Sequence, residues 1–392
     1  MLVAAVLSAW LQYGADGKPH ARAAVSDAAC PAASVDGRAV KMDERAGKSA
    51  QFGDVVCDVA IPAEATHVRV GERALPAPAH DPRTVVVLGD TGCRIGALTA
   101  QACDDPAQWP FPKTARAIAA VHPDLVIHVG DYLYREHACP LLAPCKDSPH
   151  GDDGPAWFAD FLTPAAPIFA TAPVVFARGN HEVCARSGSG WLRYLDARVI
   201  GSCADETDPF DVDLGDLRIV VFDSSSADDH KADAARTPVY RHELEAVRAL
   251  ATRPDLRPVR ARPVPLERWF VTHRPPYVNA DERAAMGDAL GAFDAVLAGH
   301  IHFFAAMNVL SLPPLVINGE GGANLDPNYA AFLGLAAGDL HVQGSVFGSS
   351  HFGFGVYTRA ATGWTISLRD PDGTERARCA LENRTVSCRT GG

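Results

Sequence analysis

The feature that most constrains this chain is a series of polar residues that each end a short apolar run. The segments are TVVVLGD ending at Asp90, DLVIHVGD ending at Asp131, PVVFARGN ending at Asn180, ERWFVTH ending at His273 and DAVLAGH ending at His300. Apolar runs without polar alternation, separated by helical segments, are typical of strands that are buried on both faces. Because α/β sheets bind ligands beyond the carboxyl ends of their strands, we expect these polar side chains to converge at one sheet edge.

The residue types in this series indicate a metal site. A single Asp or Asn after a strand is more often a helix cap or a turn former, and a single His is more often structural. Here the order of strand, glycine and polar residue recurs, and a further His302 follows His300. Glycine lets the chain turn sharply and lets a ligand approach. The repeated pattern therefore favours metal binding over capping.

Bulk composition excludes some classes of protein. With 47% apolar and 21% charged residues, the chain has the composition of a soluble globular protein. Its 392 residues suffice for a large catalytic domain and a smaller one. The formal charge of −11 argues against nucleic acid as the main partner, because that binding requires a basic face. No apolar run approaches the roughly 18 residues that a membrane span requires.

Ten cysteines and the absence of a CxxC motif favour disulfides over zinc binding. Disulfides predict an oxidising compartment, and hence a periplasmic or secreted protein; buried inert thiols are the alternative. The sequence does not fix connectivity, and we predict sequential pairing: Cys30–Cys57, Cys93–Cys103, Cys139–Cys145, Cys184–Cys203 and Cys379–Cys388. The apolar N-terminal run lacks preceding basic residues and is a poor signal peptide, so a secretion signal upstream of this start is one expectation and its absence the other.

Two domains are predicted. Residues 1–79 carry short strand-like segments and end in the proline-rich LPAPAHDP, which indicates a small β-sandwich-like domain. We expect it to pack structurally against the rest of the chain; carbohydrate binding is the alternative. Residues 80–392 form the predicted catalytic domain, which becomes β-rich after His351 and ends in a hairpin within residues 371–392.

The ordered motifs resemble those of calcineurin-like metallophosphoesterases of the purple acid phosphatase type. They are Gly89-Asp90-Thr91-Gly92, Gly130-Asp131-Tyr132-Leu133-Tyr134, Gly179-Asn180-His181-Glu182, His273 and Gly299-His300-Ile301-His302. The resemblance covers roughly residues 83–325. It implies an α/β fold, the four-layer α/β/β/α sandwich, with a small N-terminal β domain and a β-rich C-terminal end.

The resemblance also implies a set of metal ligands. One metal ion would be held by Asp90, Tyr134 and His302, and a second by Asn180, His273 and His300. Asp131 would bridge the two ions. Ligating histidines must present a neutral nitrogen, so acid is expected to weaken the site.

Tyr134 decides the subtype and the metal. Most of the superfamily has His two residues after the first Asp, where this chain has Gly92, and Tyr134 would fill the vacated position. A phenolate is a hard anionic ligand that suits trivalent iron, so the resemblance implies Fe(III) with a divalent Zn, Mn or Fe ion. The alternative is a zinc-only or manganese-only site in which Tyr134 merely packs.

The implied reaction is hydrolysis of a small phosphate ester by metal-bound hydroxide, without a covalent enzyme intermediate. His181 would be the non-ligand histidine that contacts the phosphoryl group and assists the leaving oxygen. The plant and animal enzymes carry another catalytic His about nine residues after the fourth motif, where this chain has none. Glu282 lies near that spacing, but a carboxylate at a helix start is the preferred interpretation.

Other segments near the motifs have both functional and structural interpretations. In the long segment between Asp131 and Asn180, Arg135, His137, Trp157 and Arg178 are candidate contacts of the phosphate or the leaving group, with exposed solubilising positions preferred for each. His128 is predicted to be a buried strand residue. Gly319-Glu320-Gly321-Gly322 either lines the metal site or forms a simple turn.

The leading hypothesis is a phosphomonoesterase. A phosphodiesterase or nucleotide pyrophosphatase on the same two-metal centre is the alternative, since two metal ions act on monoesters and diesters alike. A non-catalytic binding protein would be expected to have lost at least one ligand, and all seven positions retain competent side chains. The sequence leaves the oligomeric state open.

Overall fold

A computed structural model describes residues 5–26, 29–140, 143–199, 201–255, 265–327 and 342–390. The outer limits of the two predicted domains, residues 1 and 392, lie outside this range. The strands, in chain order, are β1 (Val6–Tyr13), β2 (Pro19–Val25), β3 (Ala32–Val35), β4 (Arg38–Lys41), β5 (Asp43–Ala46), β6 (Val55–Ala60), β7 (Val68–Val70), β8 (Arg73–Leu75), β9 (Thr84–Leu88), β10 (Leu125–His128), β11 (Val174–Phe176), β12 (Phe210–Leu214), β13 (Leu217–Val221), β14 (Glu267–Val271), β15 (Ala295–Ala298), β16 (Phe304–Val309), β17 (Leu315–Asn318), β18 (Val342–Ser349), β19 (Phe354–Arg359), β20 (Trp364–Arg369), β21 (Glu375–Glu382) and β22 (Thr385–Thr390).

The helices lie mostly between the central strands. They are α1 (Phe111–Val121), α2 (Gly154–Trp157), α3 (Ala166–Phe169), α4 (Gly188–Tyr194), α5 (Arg236–Thr252) and α6 (Ala280–Ala285). A π-helical turn spans Phe158–Leu162, and 3₁₀ turns span Asn180–Glu182 and Ala289–Ala292. Within the described ranges, no helix is both long enough and apolar enough to cross a membrane.

Two large sheets form the centre of the molecule. An eleven-stranded sheet has the order β22-β21-β20-β19-β9-β10-β11-β1-β2-β6-β5, and a seven-stranded sheet has the order β12-β13-β14-β15-β17-β16-β18. Strands β9, β10 and β11 are parallel, as are β13, β14, β15 and β17. The carboxyl ends of these parallel strands carry the polar residues of the motifs.

Alternate side chains of the central strands face different layers, as the period-two geometry of a strand requires. In β9, Val85 and Val87 pack against the other sheet, whereas Val86 and Leu88 pack against helix α1. On the second sheet, Val220 and Phe270 pack against α5. Both faces of each sheet are thus covered. The predicted α/β fold with four layers, helix, sheet, sheet and helix, is confirmed.

The first 79 residues supply strands to two sheets. β1, β2, β6 and β5 extend the eleven-stranded sheet, and β1 joins β11 through parallel pairing. The remaining strands form a four-stranded sheet of order β4-β3-β7-β8. Residues such as Leu11, Ala23, Val35 and Val70 fill a separate core between these two layers. A division at residues 79 and 80 stays a prediction, and β1 and β11 are hydrogen-bonded across it.

All five predicted disulfides are confirmed, and the structure has no free cysteine among the residues it describes. The bonds are Cys30–Cys57, Cys93–Cys103, Cys139–Cys145, Cys184–Cys203 and Cys379–Cys388. Cys379 and Cys388 are directly opposite each other in the hairpin of β21 and β22. The β-rich C-terminal end is likewise confirmed, since β19 to β22 form an antiparallel run that continues the large sheet.

Candidate active site

The two large sheets bring the predicted ligands together where their edges meet. Asp90, Asp131 and Asn180 follow β9, β10 and β11 of the eleven-stranded sheet, and Tyr134 lies three residues beyond Asp131. His273 follows β14 of the seven-stranded sheet, and His300 and His302 follow β15. All seven side chains converge. Two groups of ligand atoms, each within 4.8 Å, are Asp90, Asp131 and His302, and Asp131, His273 and His300.

The backbone at the strand ends is forced into an unusual conformation. Asp90, Asp131 and His300 have φ values of 57°, 60° and 70°, in the left-handed region that non-glycine residues rarely adopt. Such residues cluster at functional sites, where the surrounding structure holds them in place.

The glycines before Asp131 and Asn180 make room for neighbouring candidate ligands. A Cβ atom on Gly130 would collide with the ring of His273, and one on Gly179 would collide with the carboxylate of Asp131. The glycines therefore allow the side chains of the site to approach one another, a purpose beyond the sharp turn expected from the sequence.

The hydroxyl of Tyr134 lies at the centre of the first group of ligands. Its oxygen is 2.7 Å from Asp131 Oδ2, 3.0 Å from Asp90 Oδ1 and 2.8 Å from His302 Nε2. One phenol has a single hydrogen to donate to these three polar atoms. Burial, and then the charges of Asp131 and Asp90, raise the pKa of Tyr134 well above its usual value. This buried set of anionic and neutral donors fits a metal cation, whose charge would favour the phenolate.

Gly92 explains why a tyrosine can occupy this position. A Cβ atom on Gly92 would lie 2.8 Å from Cδ2 of Tyr134 and 2.7 Å from Oδ2 of Asp160. A histidine side chain at residue 92 would therefore compete with the tyrosine ring for the same space. Glycine at residue 92 and tyrosine at residue 134 are therefore sterically linked, because the small residue leaves the space that the tyrosine ring occupies.

The side-chain oxygen of Asn180 lies at the centre of the second group. It is 3.0 Å from Nε2 of His273 and 2.8 Å from Nδ1 of His300. Asp131 Oδ2 is also 3.2 Å from Nε2 of His273. Burial lowers the pKa of His273, but the charge and hydrogen bond of Asp131, the charge of Asp90 and the contact to the Val129 carbonyl together outweigh it and raise that pKa to about 9. A metal ion entering this group must displace that proton, which agrees with a site that acid weakens.

The other ring nitrogen of each histidine has a partner that orients the ring. Nδ1 of His273 is 2.8 Å from the carbonyl oxygen of Val129, and Nδ1 of His302 is 2.6 Å from that of Asn324. Nε2 of His300 is 2.9 Å from Oδ2 of Asp229. Such contacts fix the tautomer of a metal-ligating histidine, so that the free nitrogen points into the site.

Asp229 and Glu182 were missed by sequence reasoning. Asp229 also pairs with Arg274, whose guanidinium lies 3.0 Å from Nε2 of His300. It sits in a loop after β13, and no motif marks it. Glu182 is visible as the last residue of Gly-Asn-His-Glu. Its buried carboxylate accepts hydrogen bonds from the backbone N–H groups of Gly179, Asp131, Tyr132 and Leu133.

Arg135, Trp157 and Arg178 are buried, so the expectation that they are exposed is wrong. Arg135 pairs with Asp160, because a buried guanidinium needs a carboxylate partner. Its guanidinium also lies over the ring of Trp109. Arg178 donates to the carbonyl oxygens of Glu182 and Ala204 and to Asp223.

The remaining interpretations hold. His137 is exposed, and His128 is a buried residue of β10. Glu282 lies in the first turn of α6, as expected of a helix-start carboxylate, and is fully buried. The glycine-rich segment lies against the site: Gly321 and Ala323 donate backbone hydrogen bonds to the carbonyl oxygens of Gly89 and Asp90.

A cavity of about 660 Å³ opens onto these groups. Its wall includes Asp131, Tyr134, Asn180, His300 and His302, together with His181 and Arg186. The ring of His181 lies against that of Tyr134, with 3.7 Å between their centroids. The cavity is large enough for a small phosphate ester and is lined on one side by candidate metal ligands.

Two face-to-face sheets with candidate metal ligands at their shared edge are the arrangement expected of a metallophosphoesterase. The sequence model of the calcineurin-like phosphoesterase family matches residues 83–304, more than half of the chain, and this protein belongs to that family. It is accordingly a phosphoesterase enzyme of a family that implies two metal ions.

Solved structures with a similar fold include a purple acid phosphatase and a protein called PhoD. A purple acid phosphatase, PPD1, from yellow lupin (Lupinus luteus) seeds is 16% identical with a TM-score of 0.59, covering 95% of this chain and 73% of that one. A structure described as PhoD is 12% identical with a TM-score of 0.60, covering 98% and 92%. At these identities the likeness concerns the fold alone. No curated protein sequence matches significantly.

Proposed function

We propose that this protein hydrolyses phosphomonoesters with two metal ions bound at the shared edge of its sheets. The observation that carries the proposal is the sharing of Asp131 between two groups of ligand atoms. Asp90, Tyr134 and His302 would hold one ion, and Asn180, His273 and His300 the other. Among the residues that the structure describes, Asp131 is the one side chain that belongs to both groups.

When bound, such a metal pair activates water for attack on phosphorus and stabilises charge on the phosphoryl oxygens. The chain's own residues keep the donors in place before substrate arrives. Asn180 presents its oxygen, and the orienting contacts of the three histidines turn their free nitrogens into the site. This preorganisation is the main contribution a protein can make to phosphoryl transfer.

His181 is the proposed catalytic residue that contacts substrate. Its backbone N–H donates to Asp131 Oδ1 over 2.9 Å, which fixes the residue beside the ligands. Nδ1 of its ring is 3.2 Å from Oε1 of Glu136. Nε2 lies 3.1 Å from a terminal nitrogen of Arg186 and is the ring nitrogen that would donate to a phosphoryl oxygen or to the leaving oxygen.

Tyr134 supports Fe(III) in the first position and a divalent Zn, Mn or Fe ion in the second. A phenolate, two carboxylates and one imidazole form a hard anionic set that suits a trivalent ion. The proposed setting is an oxidising compartment, the periplasm or the outside of the cell. The five disulfides support that setting, because thiols stay reduced in most cytosols.

Metal analysis of the purified protein, together with its visible spectrum, tests the metal proposal. We expect iron and a charge-transfer band that is lost in Tyr134→Phe. Tyr132→Phe is the matched control, because the Tyr132 hydroxyl donates to the carbonyl oxygen of Ala177 and lies outside the ligand set. A colourless wild-type protein that contains only zinc would contradict the assignment of iron.

The choice of monoester over diester has its own test. Rates on an aryl phosphate monoester and on the matching diester are measured with the same metal-loaded preparation. We expect the monoester to have the higher kcat/KM. A diester rate about a hundredfold higher, or about 2.7 kcal/mol in the barrier, would make the protein a phosphodiesterase instead.

A further inference from the structure

Arg186 is a charged residue in the cavity wall that none of the predicted roles uses. It follows the Asn180–Glu182 turn by four residues and lines the same cavity as Asn180, His181 and His300. Its side chain is 32% exposed. By contrast, the guanidinium groups of Arg135 and Arg178 are buried and engaged by partners within the protein.

Glu136 holds the guanidinium of Arg186 in one orientation. Nε of Arg186 donates to Oε1 of Glu136 over 2.6 Å, and one terminal nitrogen donates to Oε2 over 2.9 Å. Two parallel hydrogen bonds of this kind fix the plane of a guanidinium.

The same guanidinium reaches the proposed catalytic histidine. The terminal nitrogen that binds Glu136 is also 2.9 Å from Nδ1 and 3.1 Å from Nε2 of His181. The other terminal nitrogen donates to the carbonyl oxygen of Asn180 over 3.3 Å. A guanidinium has five N–H groups, and the contacts to Glu136, Asn180 and His181 occupy four of them. One N–H therefore remains on the terminal nitrogen beside Asn180, next to the residue that would contact the phosphoryl group.

We propose that Arg186 binds a non-bridging oxygen of a phosphomonoester dianion and makes the site selective for monoesters, with Glu136 as its positioning residue. A monoester dianion has one more charged non-bridging oxygen than a diester, so a fixed cation in the wall favours the monoester. Guanidinium geometry matches phosphate oxygens better than an ammonium group does. This inference rests on the proposed phosphoesterase function and names its substrate class.

The test uses the metal-loaded enzyme, an aryl phosphate monoester, the matching diester and inorganic phosphate as a competitive inhibitor. In Arg186→Gln, we expect kcat/KM for the monoester to fall by about 10- to 100-fold, as for the loss of one charge-assisted hydrogen bond. The fold-decrease in kcat/KM for the diester should be less than about one third of the fold-decrease for the monoester. The inhibition constant of phosphate should rise in parallel with the loss of kcat/KM for the monoester. Glu136→Gln should raise KM for the monoester by a smaller factor.

Controls separate binding from folding. Arg241→Gln changes an exposed arginine of α5 and should leave both esters unaffected. Metal content and Tm are measured for each variant. If Arg186→Gln does not fold, Arg186→Lys keeps a charge without the planar pair of donors, and the phosphate inhibition constant should still rise at least about threefold.

Equal losses for both esters, or an unchanged phosphate inhibition constant in a folded and metal-loaded variant, would overturn the inference. A wild-type enzyme that cleaves neither ester when loaded with metal would overturn the proposed function instead. The two failures are thus distinguishable, because the first is seen only in an active wild-type background.

Discussion

The two large sheets contribute chemically different halves of the site. The eleven-stranded sheet supplies the oxygen half, which consists of the side-chain oxygens of Asp90, Asp131, Tyr134 and Asn180. The seven-stranded sheet supplies the nitrogen half, which consists of the imidazole nitrogens of His273, His300 and His302. Each proposed metal position draws on both sheets. A complete site therefore requires that the two sheets pack in register along their shared edge.

The two halves are also held in different ways. On the oxygen side, the backbone is constrained by left-handed residues and by the four N–H groups that bind Glu182. On the nitrogen side, each imidazole is turned by a contact to its second nitrogen. One of those contacts, from His273 to the carbonyl oxygen of Val129, joins the two sheets directly. The oxygen half is held mainly by hydrogen bonds to its main chain, whereas the nitrogen half, in which His300 is also left-handed, is held mainly by hydrogen bonds to its side chains.

The largest effect is expected at Asp131, where the halves meet. Asp131→Asn removes a charge that both groups of ligand atoms share, so both metal ions should be lost. The fall in kcat/KM should exceed the roughly 10- to 100-fold cost of an outer-sphere substitution. Metal content and kinetics check this, with Asp104→Asn, an exposed aspartate, as control. Retention of two metal ions per chain would show that Asp131 does not bridge the halves.

The next effect tests the oxygen half alone. Glu182→Ala leaves four backbone N–H groups without their acceptor in a buried region, so the free energy of unfolding should fall by about 2–4 kcal/mol. Glu182→Gln keeps one carbonyl oxygen and should lose less. Chemical denaturation of the metal-free proteins measures the difference. Equal stability of all three would mean that the main chain holds its shape without Glu182.

A smaller effect is expected for the nitrogen half. Asp229→Asn weakens the acceptor for Nε2 of His300, and affinity should fall by about 10- to 100-fold for one of the two metal ions. Metal titration followed by calorimetry would then resolve one weakened site and one unchanged site. Asp228→Asn is the neighbouring control, since that carboxylate accepts from the backbone of His230 and Lys231 instead. An equal loss at both sites would contradict the division into halves.

The smallest effect lies in the helix layer that covers the seven-stranded sheet. Burial, and then the charges of Asp223 and Glu206, raise the pKa of Glu243 to about 8. Its unfolded value is about 4.3, so the folded state binds this proton more tightly, and stability falls as pH rises between these values. Glu243→Gln should raise Tm at pH 8 and leave it nearly unchanged near pH 4.

Glu245→Gln, an exposed carboxylate of the same helix, is the matched control and should change Tm little at either pH. If Glu243→Gln has the same Tm as the wild type at pH 8, then burial does not perturb this carboxylate. Loss of activity in that variant would show that the helix layer also supports the nitrogen half.

Much of the oxygen half and the histidine set could be predicted because each residue is tied to a local pattern. A short apolar strand, a glycine and a polar residue are neighbours in sequence, and the sheet then brings their ends together. The five disulfides follow the same logic, since each joins consecutive cysteines. Asp229 and Arg186 could not be predicted in this way, because their roles depend on partners at His300 and Glu136, far away in the chain.

The sequence by itself therefore determined the family fold and the candidate ligands, since both depend on local order along the chain. The sequential disulfide pairing was a prediction that the tertiary structure decided. Only the tertiary structure decided that strands of the first 79 residues join the main sheet, that the glycines make room for neighbouring ligands, and that Arg186 faces the cavity. These features depend on contacts between distant segments. Gly92 belongs partly to each group. The sequence shows that residue 92 is glycine, but only the tertiary structure shows why, because the ring of Tyr134 fills the space that a larger side chain would need.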